Sequence, residues 1–166
     1  AAVDLVGLSP YSWDPATGVH EWDARLKAMW NLPPDAHVDE DVFRAGIHLE
    51  DRPRVEAAIA ACTDPAGDGV YALEYRVIGI GDGVERWVAT HGRTFFEAGR
   101  PVSFVGVTLD ITGRKRAEAA LRASEARYRA VFEQAAVGIE RVDLRDGRIL
   151  EANDALCGLL GYEAAE

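Results

Sequence analysis

Four histidines, His20, His37, His48 and His91, and two cysteines, Cys62 and Cys157, are the side chains best suited to metal ligation, nucleophilic attack or proton transfer. The histidines lack the close spacing of a helical metal pair, and the cysteines stand far apart and match no metal pattern. His48 and Asp51 are spaced like an acid–base pair. The run His48-Leu49-Glu50-Asp51-Arg52-Pro53 nevertheless reads as a loop entering a helix, with Asp51 as N-cap and Pro53 early in the first turn. Gly79-Ile80-Gly81-Asp82-Gly83 is similar to a piece of a nucleotide-binding loop. No helix follows it, and phosphate cradling uses a helix N-terminus, so it reads as a hairpin turn. No Ser/His/Asp constellation stands at a recognisable local spacing, and no enzymatic activity is expected of this segment.

Composition narrows the partners. The chain has 166 residues with 18 Lys plus Arg against 28 Asp plus Glu, a formal net charge of −10. That field repels phosphate backbones and anionic headgroups, so nucleic acid is disfavoured as the main partner. The uncharged runs fall short of the roughly 20 apolar residues of a membrane span, and the opening AAVDLVGLSP has no basic flank. A single pair of cysteines is no disulfide framework, so a reducing, cytoplasmic setting is expected.

The elements that must position any site follow from periodicity. Two apolar stretches flank Asp14-Pro15-Ala16-Thr17-Gly18, a turn cluster that predicts a hairpin. Asp23 is a good N-cap for a helix carrying Leu26, Met29 and Trp30, which Pro33-Pro34 ends. DEDVFRAGI predicts a second helix, and Val55, Ala58, Ile59 and Cys62 share one face of a third. From Val70 onward three β-rich runs are separated by Asp82-Gly83 and Gly99-Arg100-Pro101. The result is an α+β domain, a five-stranded antiparallel sheet with helices on one face, over residues 1–112. Residues 113–136 contain no Pro and one Gly at the start, and predict a long connector helix.

Residues 137–166 repeat the opening. Asp14 and Gly18 are spaced like Asp143 and Gly147, and Trp22-Asp23-Ala24-Arg25-Leu26 aligns with Ala152-Asn153-Asp154-Ala155-Leu156. Asp23 and Asn153 are equivalent N-caps, followed by the helix stops Asn31 and Gly161. The last segment is therefore expected to be the start of a second domain, cut from a longer protein. About 40 residues of hairpin and helix cannot form a core alone, so this part is expected to pack on another surface, that of a second copy.

WDARLKAMWNL, IHLEDRPRV, LEYRVIGIGDGVERWVATHGR and above all GRPVSFVGVTLDITGRKRAE, in this order, resemble a PAS domain with a PAC-type C-terminal half. SEARYRAVFEQAAVGIERVDLRDGRILEANDALCGLLGY is similar to the start of a second one. The resemblance implies a PAS fold with a cavity between sheet and helices, used for sensing or for dimerisation. It also implies a place upstream of a histidine kinase or a cyclic-dinucleotide enzyme in a multidomain bacterial receptor.

Alternation puts Phe104, Gly106, Thr108 and Asp110 on one face of the last strand. Comparison with flavin-binding LOV domains implies that Thr108 takes the place of their flavin-contacting glutamine, and that Val88, Thr90 and Gly92 also face the cavity. The photoactive cysteine of those domains has no counterpart, since residues 35–53 contain no Cys. Three readings of the cavity stay open: a pocket empty or filled by side chains, an unidentified small ligand, and haem or flavin. No cofactor is named by these residues.

Asp110-Ile111-Thr112 resembles the DIT signature, in which carboxylate and hydroxyl anchor the last strand to the exit helix. These two are the expected signal relay. A weak heptad places Ala117, Ser124 and Val131 with Leu121, Tyr128 and Ala135, so Leu121, Tyr128 and Val131 are the expected homodimer interface. The same stripe would serve a helix covering its own sheet. The basic residues Arg114, Lys115, Arg116, Arg122, Arg127 and Arg129 are read as a solvated helix face. The expected function is a sensory, signal-transducing module. The contrasting one is a ligand-free dimerisation domain with a filled core.

Overall fold

The computed structural model describes residues 7–161, which fall into two compact units, Ala1–Lys115 and Arg116–Glu166. In the first, strands β1 (Leu8–Trp13) and β2 (Val19–Trp22) form the opening hairpin and helix α1 (Ala24–Met29) follows. The hairpin turn is built as its residues dictate. Asp14 accepts the Ala16 N–H at 2.8 Å, its carbonyl accepts the Gly18 N–H at 2.8 Å, and Gly18 takes φ 71°. Asp23 caps α1 by accepting the Leu26 N–H at 2.7 Å, and Asn31, at φ 52°, turns the chain out of it.

Strand β3 (Val38–Asp39), α2 (Glu40–Ala45) and α3 (Arg52–Thr63) lead to the long meander β4 (Val70–Ile78), β5 (Glu85–Glu97) and β6 (Arg100–Asp110). The sheet order is β3-β2-β1-β6-β5-β4, antiparallel throughout. It has six strands rather than five. The extra one is two residues long, held by the pairing of Val38 and Asp39 with His20 and Val19, and has no periodicity a sequence could display. Asp39 also caps α2, accepting the Val42 N–H at 2.9 Å.

One face of the sheet is covered. Trp22, Leu26, Met29, Trp30, Val38, Phe43, Ile47, Val55, Tyr75, Val77 and Val88 form the main buried cluster, and Cys62, Tyr71 and Phe104 a second beside it. Burying a large apolar side chain contributes about 1.5–3 kcal/mol, so these clusters carry the cohesion of the fold. The expected cap by Asp51 is not made. Asp51 stands at the head of α3, where its carbonyl accepts the Val55 N–H at 3.0 Å, but its carboxylate makes no cap hydrogen bond and turns instead to Arg76 on β4.

Helix α4 (Thr112–Gln134) begins directly after β6. The second unit contains most of α4, the hairpin of β7 (Glu140–Val142) and β8 (Ile149–Ala152), and α5 (Asp154–Leu160). Its organiser is Asn153, fully buried. Its side-chain oxygen accepts the N–H groups of Ile139 and Leu156, and its amide donates to the carbonyls of Phe132 and Val137. Gly161 ends α5 at φ 76°, as Asn31 ends α1 in the first unit. Among the described residues no helix is long and apolar enough to cross a membrane.

Candidate functional site

The residues singled out on the sheet come together on its covered face. Val88, Thr90 and Gly92 on β5 and Phe104, Gly106 and Thr108 on β6 are all buried. Gly92 pairs with Gly106 and Thr90 with Thr108, whose hydroxyls lie 3.4 Å apart. The two glycines are needed because the Phe104 ring lies across them: a Cβ on Gly92 would fall within that ring, and one on Gly106 would stand 2.8 Å from Phe104 Cε1. The space left by these small residues is thus occupied by a neighbouring large one.

Phe104 also borders a small cavity. It measures about 30 Å³, enough for one or two waters, and is walled by Tyr11, Trp13, His20, Phe43, Tyr71 and Phe104 with Glu40, Ile59 and Cys62. Of the residues expected to face a ligand, only Phe104 reaches it. Val88 belongs to the main core, and Thr90 and Thr108 hydrogen-bond each other. The wall residues on β1, β2 and α2 escape sequence reasoning. Aromatics at alternate strand positions read as core, and nothing local says which of them border a void.

The cavity is an aromatic box with one carboxyl group, that of Glu40, in its wall. Burial pushes the Tyr11 and Tyr71 phenols up, that of Tyr75 to about 12, and raises the Cys62 thiol as well. All therefore stay protonated near neutrality, and Cys62 is no thiolate nucleophile. Burial pulls the His20 imidazole below its ordinary value, opposed by Glu40, whose Oε2 lies 3.4 Å from Nε2. His20 Nδ1, Trp13 Nε1 and Tyr71 Oη are buried and have no protein partner. Three such polar groups on wall residues of one cavity suit a water or a small molecule that can both donate and accept. No group of three His, Cys, Asp or Glu among the described residues is placed to hold a metal ion. His37 and His91 are exposed, and His48 lies 3.9 Å from Glu85, away from the cavity walls.

The junction of sheet and exit helix is more strongly built. Asp110 Oδ1 accepts the Thr112 N–H at 2.8 Å, closing the turn from β6 into α4. Thr112 Oγ1 accepts the Trp87 N–H of β5 at 2.9 Å, and the Ile111 N–H donates to the Trp87 carbonyl at 2.9 Å. The threonine thus serves the neighbouring strand rather than its own helix. Leu121, Tyr128 and Val131, the expected dimer contacts, are 60, 53 and 70% exposed. Tyr128 is partly engaged within its unit, stacking on Phe132 and donating to Glu151 Oε2 at 3.2 Å.

A curled antiparallel sheet with helices over one face, leaving through a clamped strand–helix junction, defines a class of small α+β domains. The chain belongs to the PAS-fold family: the profile described as PAS fold matches residues 19–108, and one described as PAS domain matches residues 126–166. It is 27% identical over 131 residues to the sensor protein FixL of Bradyrhizobium diazoefficiens, covering 78% of this chain and 25% of FixL. It is 21% identical over 138 residues to the probable diguanylate cyclase DgcE of Escherichia coli, covering 83% of this chain and 12% of DgcE. The chain thus spans a quarter or less of these two relatives. Among solved structures, a sensory box histidine kinase/response regulator from Burkholderia thailandensis superposes with TM-score 0.63 and 32% identity, over 77% of this chain and 95% of that one.

Proposed function

We propose that residues 1–112 are a sensor that transmits changes in its aromatic cavity, through Asp110 and Thr112, into the connector 113–136. Residues 137–166 then begin a second domain of the same kind. The observation that carries this reading is the Thr112 clamp. One hydroxyl ties the first residue of α4 to β5, the strand beside the β4 edge of the sheet, so a shift of β5 against β6 must either move the helix or break the bond. The kinase and diguanylate-cyclase relatives support an output of histidine kinase or cyclic-dinucleotide type in the same polypeptide; a cytoplasmic setting is part of this proposal. Exposed Leu121 and Val131, with Tyr128, are the surface through which two connectors would pair. The sensor itself carries no catalysis in this reading.

Asp110→Ala tests it. The variant should melt within a few degrees of the parent while amide exchange in the first turn of α4 accelerates severalfold. Equal loss of both would reduce Asp110 to a folding residue.

A second reading, a ligand-free interaction domain with a filled core, is favoured by the Phe104 ring over Gly92 and Gly106. Native mass spectrometry and absorbance of the purified chain separate the two. A retained small molecule supports sensing by ligand, and a bare mass with sub-stoichiometric uptake from metabolite mixtures supports the filled core.

A further inference from the structure

Trp87 is held by its ring as well as by its backbone. Lys115 Nζ lies 4.9 Å and the Arg76 guanidinium carbon 5.7 Å from the ring centroid. Both fall within the roughly 6 Å over which the negative face of an aromatic ring attracts a cation. Lys115 belongs to the first turn of α4 and Arg76 to β4. Two like charges at one ring need compensation, and carboxylates on either side supply it. Glu74 holds Lys115 at 2.8 Å and Arg114 at 2.6 Å, while Asp51 and Glu50 hold Arg76.

The Asp51 contact is unusually complete. Its carboxylate accepts from the Arg76 backbone N–H at 2.8 Å, from Nε at 3.0 Å and from Nη2 at 3.0 Å. A residue standing where a helix cap belongs therefore fastens the head of α3 to β4 instead. The same helix walls the cavity further along, through Ile59 and Cys62.

We propose that Asp51, Arg76, Trp87 and Lys115 form a second coupling line, running from the head of the cavity-lining helix α3 to the first turn of α4 beside the Asp110/Thr112 clamp. It rests on the sensory reading above. A displacement of α3 carries Asp51, the three bonds make the guanidinium follow, and the shared ring changes how firmly Lys115 is held. Without the ring, Lys115 keeps its ion pair to Glu74. Coupling of this kind is reciprocal, so a change at Lys115 must be felt at the head of α3.

Amide hydrogen exchange on the 166-residue chain tests the line from both ends. Asp51→Asn should accelerate exchange at the Lys115 and Arg116 amides about two- to fivefold, the range of an exposed cation–ring contact. Adding Asp51→Asn to Trp87→Leu should bring no further increase, whereas in a Trp87→Phe background the increase should persist. Lys115→Gln, a change outside the buried core clusters, should accelerate exchange at Val55 and Glu56 in α3. Loosening confined to α3 in Asp51→Asn, or an undiminished increase in the Trp87→Leu background, overturns the proposal. Asp110→Ala separates it from the wider reading: acceleration at α4 by Asp110→Ala but not by Asp51→Asn sinks this line alone, and no acceleration by Asp110→Ala sinks the clamp.

Discussion

The ring of Phe104 occupies the volume that a side chain at Gly92 would need, although the two residues sit on different strands. Gly92→Ala must displace the ring or part β5 from β6, because the Gly106 Cα also lies 2.8 Å from the new methyl. The expected cost is about 1–3 kcal/mol by chemical denaturation. Phe104→Leu should recover part of it in the double variant. Strictly additive losses would mean that the ring does not set the requirement for glycine.

The His20 site makes stability depend on pH in a stated direction. Burial keeps the imidazole neutral in the fold, with Glu40 and Asp39 as the charges that partly offset this. The unfolded chain then takes up the proton first, so the contribution is complete above about pH 6.5 and is lost as pH falls below it. Denaturation at pH 7.5 and 5.5 should show the lower stability at pH 5.5. His20→Phe, placed among Trp13, Trp22 and Phe43, should flatten that interval, and an unchanged slope would assign it to other groups.

Asp51 governs a lower window. The Arg76 guanidinium holds its carboxyl down at about 2, against the effect of burial. A depressed carboxyl stabilises above its unfolded value near 4, and that stability is lost as pH falls from about 4 to 2. Arg76 keeps a fifth of its side chain in water, so screening limits the contribution to the order of 1 kcal/mol. Asp51→Asn should remove this part of the acid limb while leaving the His20 interval in place.

Local chemistry explains which parts of this architecture could be read from the residues. The turn at Asp14 and Gly18, the caps at Asp23 and Asn153 and the left-handed stops at Asn31 and Gly161 are set by neighbours a few residues away. They are visible in the sequence for that reason. Asp51 shows the limit. Its surroundings spell an N-cap, but its partner Arg76 is 25 residues distant, and a charged partner outcompetes a backbone N–H. The cavity walls fail in the same way, since Trp13, His20, Phe43 and Tyr71 converge only after β1, β2, α2 and β4 have assembled. The DIT resemblance pointed to Asp110 and Thr112, but the destination of the threonine hydroxyl on Trp87 depends on strand register.

The repeat supplies a matched pair of caps with different duties, and they should respond differently to the same chemical exchange. Asp23 serves α1 by accepting the Leu26 N–H, and an amide oxygen accepts as well as a carboxylate there, so Asp23→Asn should shift stability by only a few tenths of a kcal/mol. Asn153 accepts twice and also donates to the Phe132 and Val137 carbonyls from a fully buried position. Asn153→Asp keeps the acceptors, removes both donors and faces a buried carboxylate with two carbonyl oxygens. The expected cost is about 2–4 kcal/mol, taken up mainly by the second unit. Exchange at Ile139 and Leu156 should quicken by at least tenfold while exchange at Val88 and Thr90 in the first unit stays unchanged. A loss spread evenly over both units, or a neutral Asn153→Asp, would show that the amide donors do not hold the end of α4 to the hairpin.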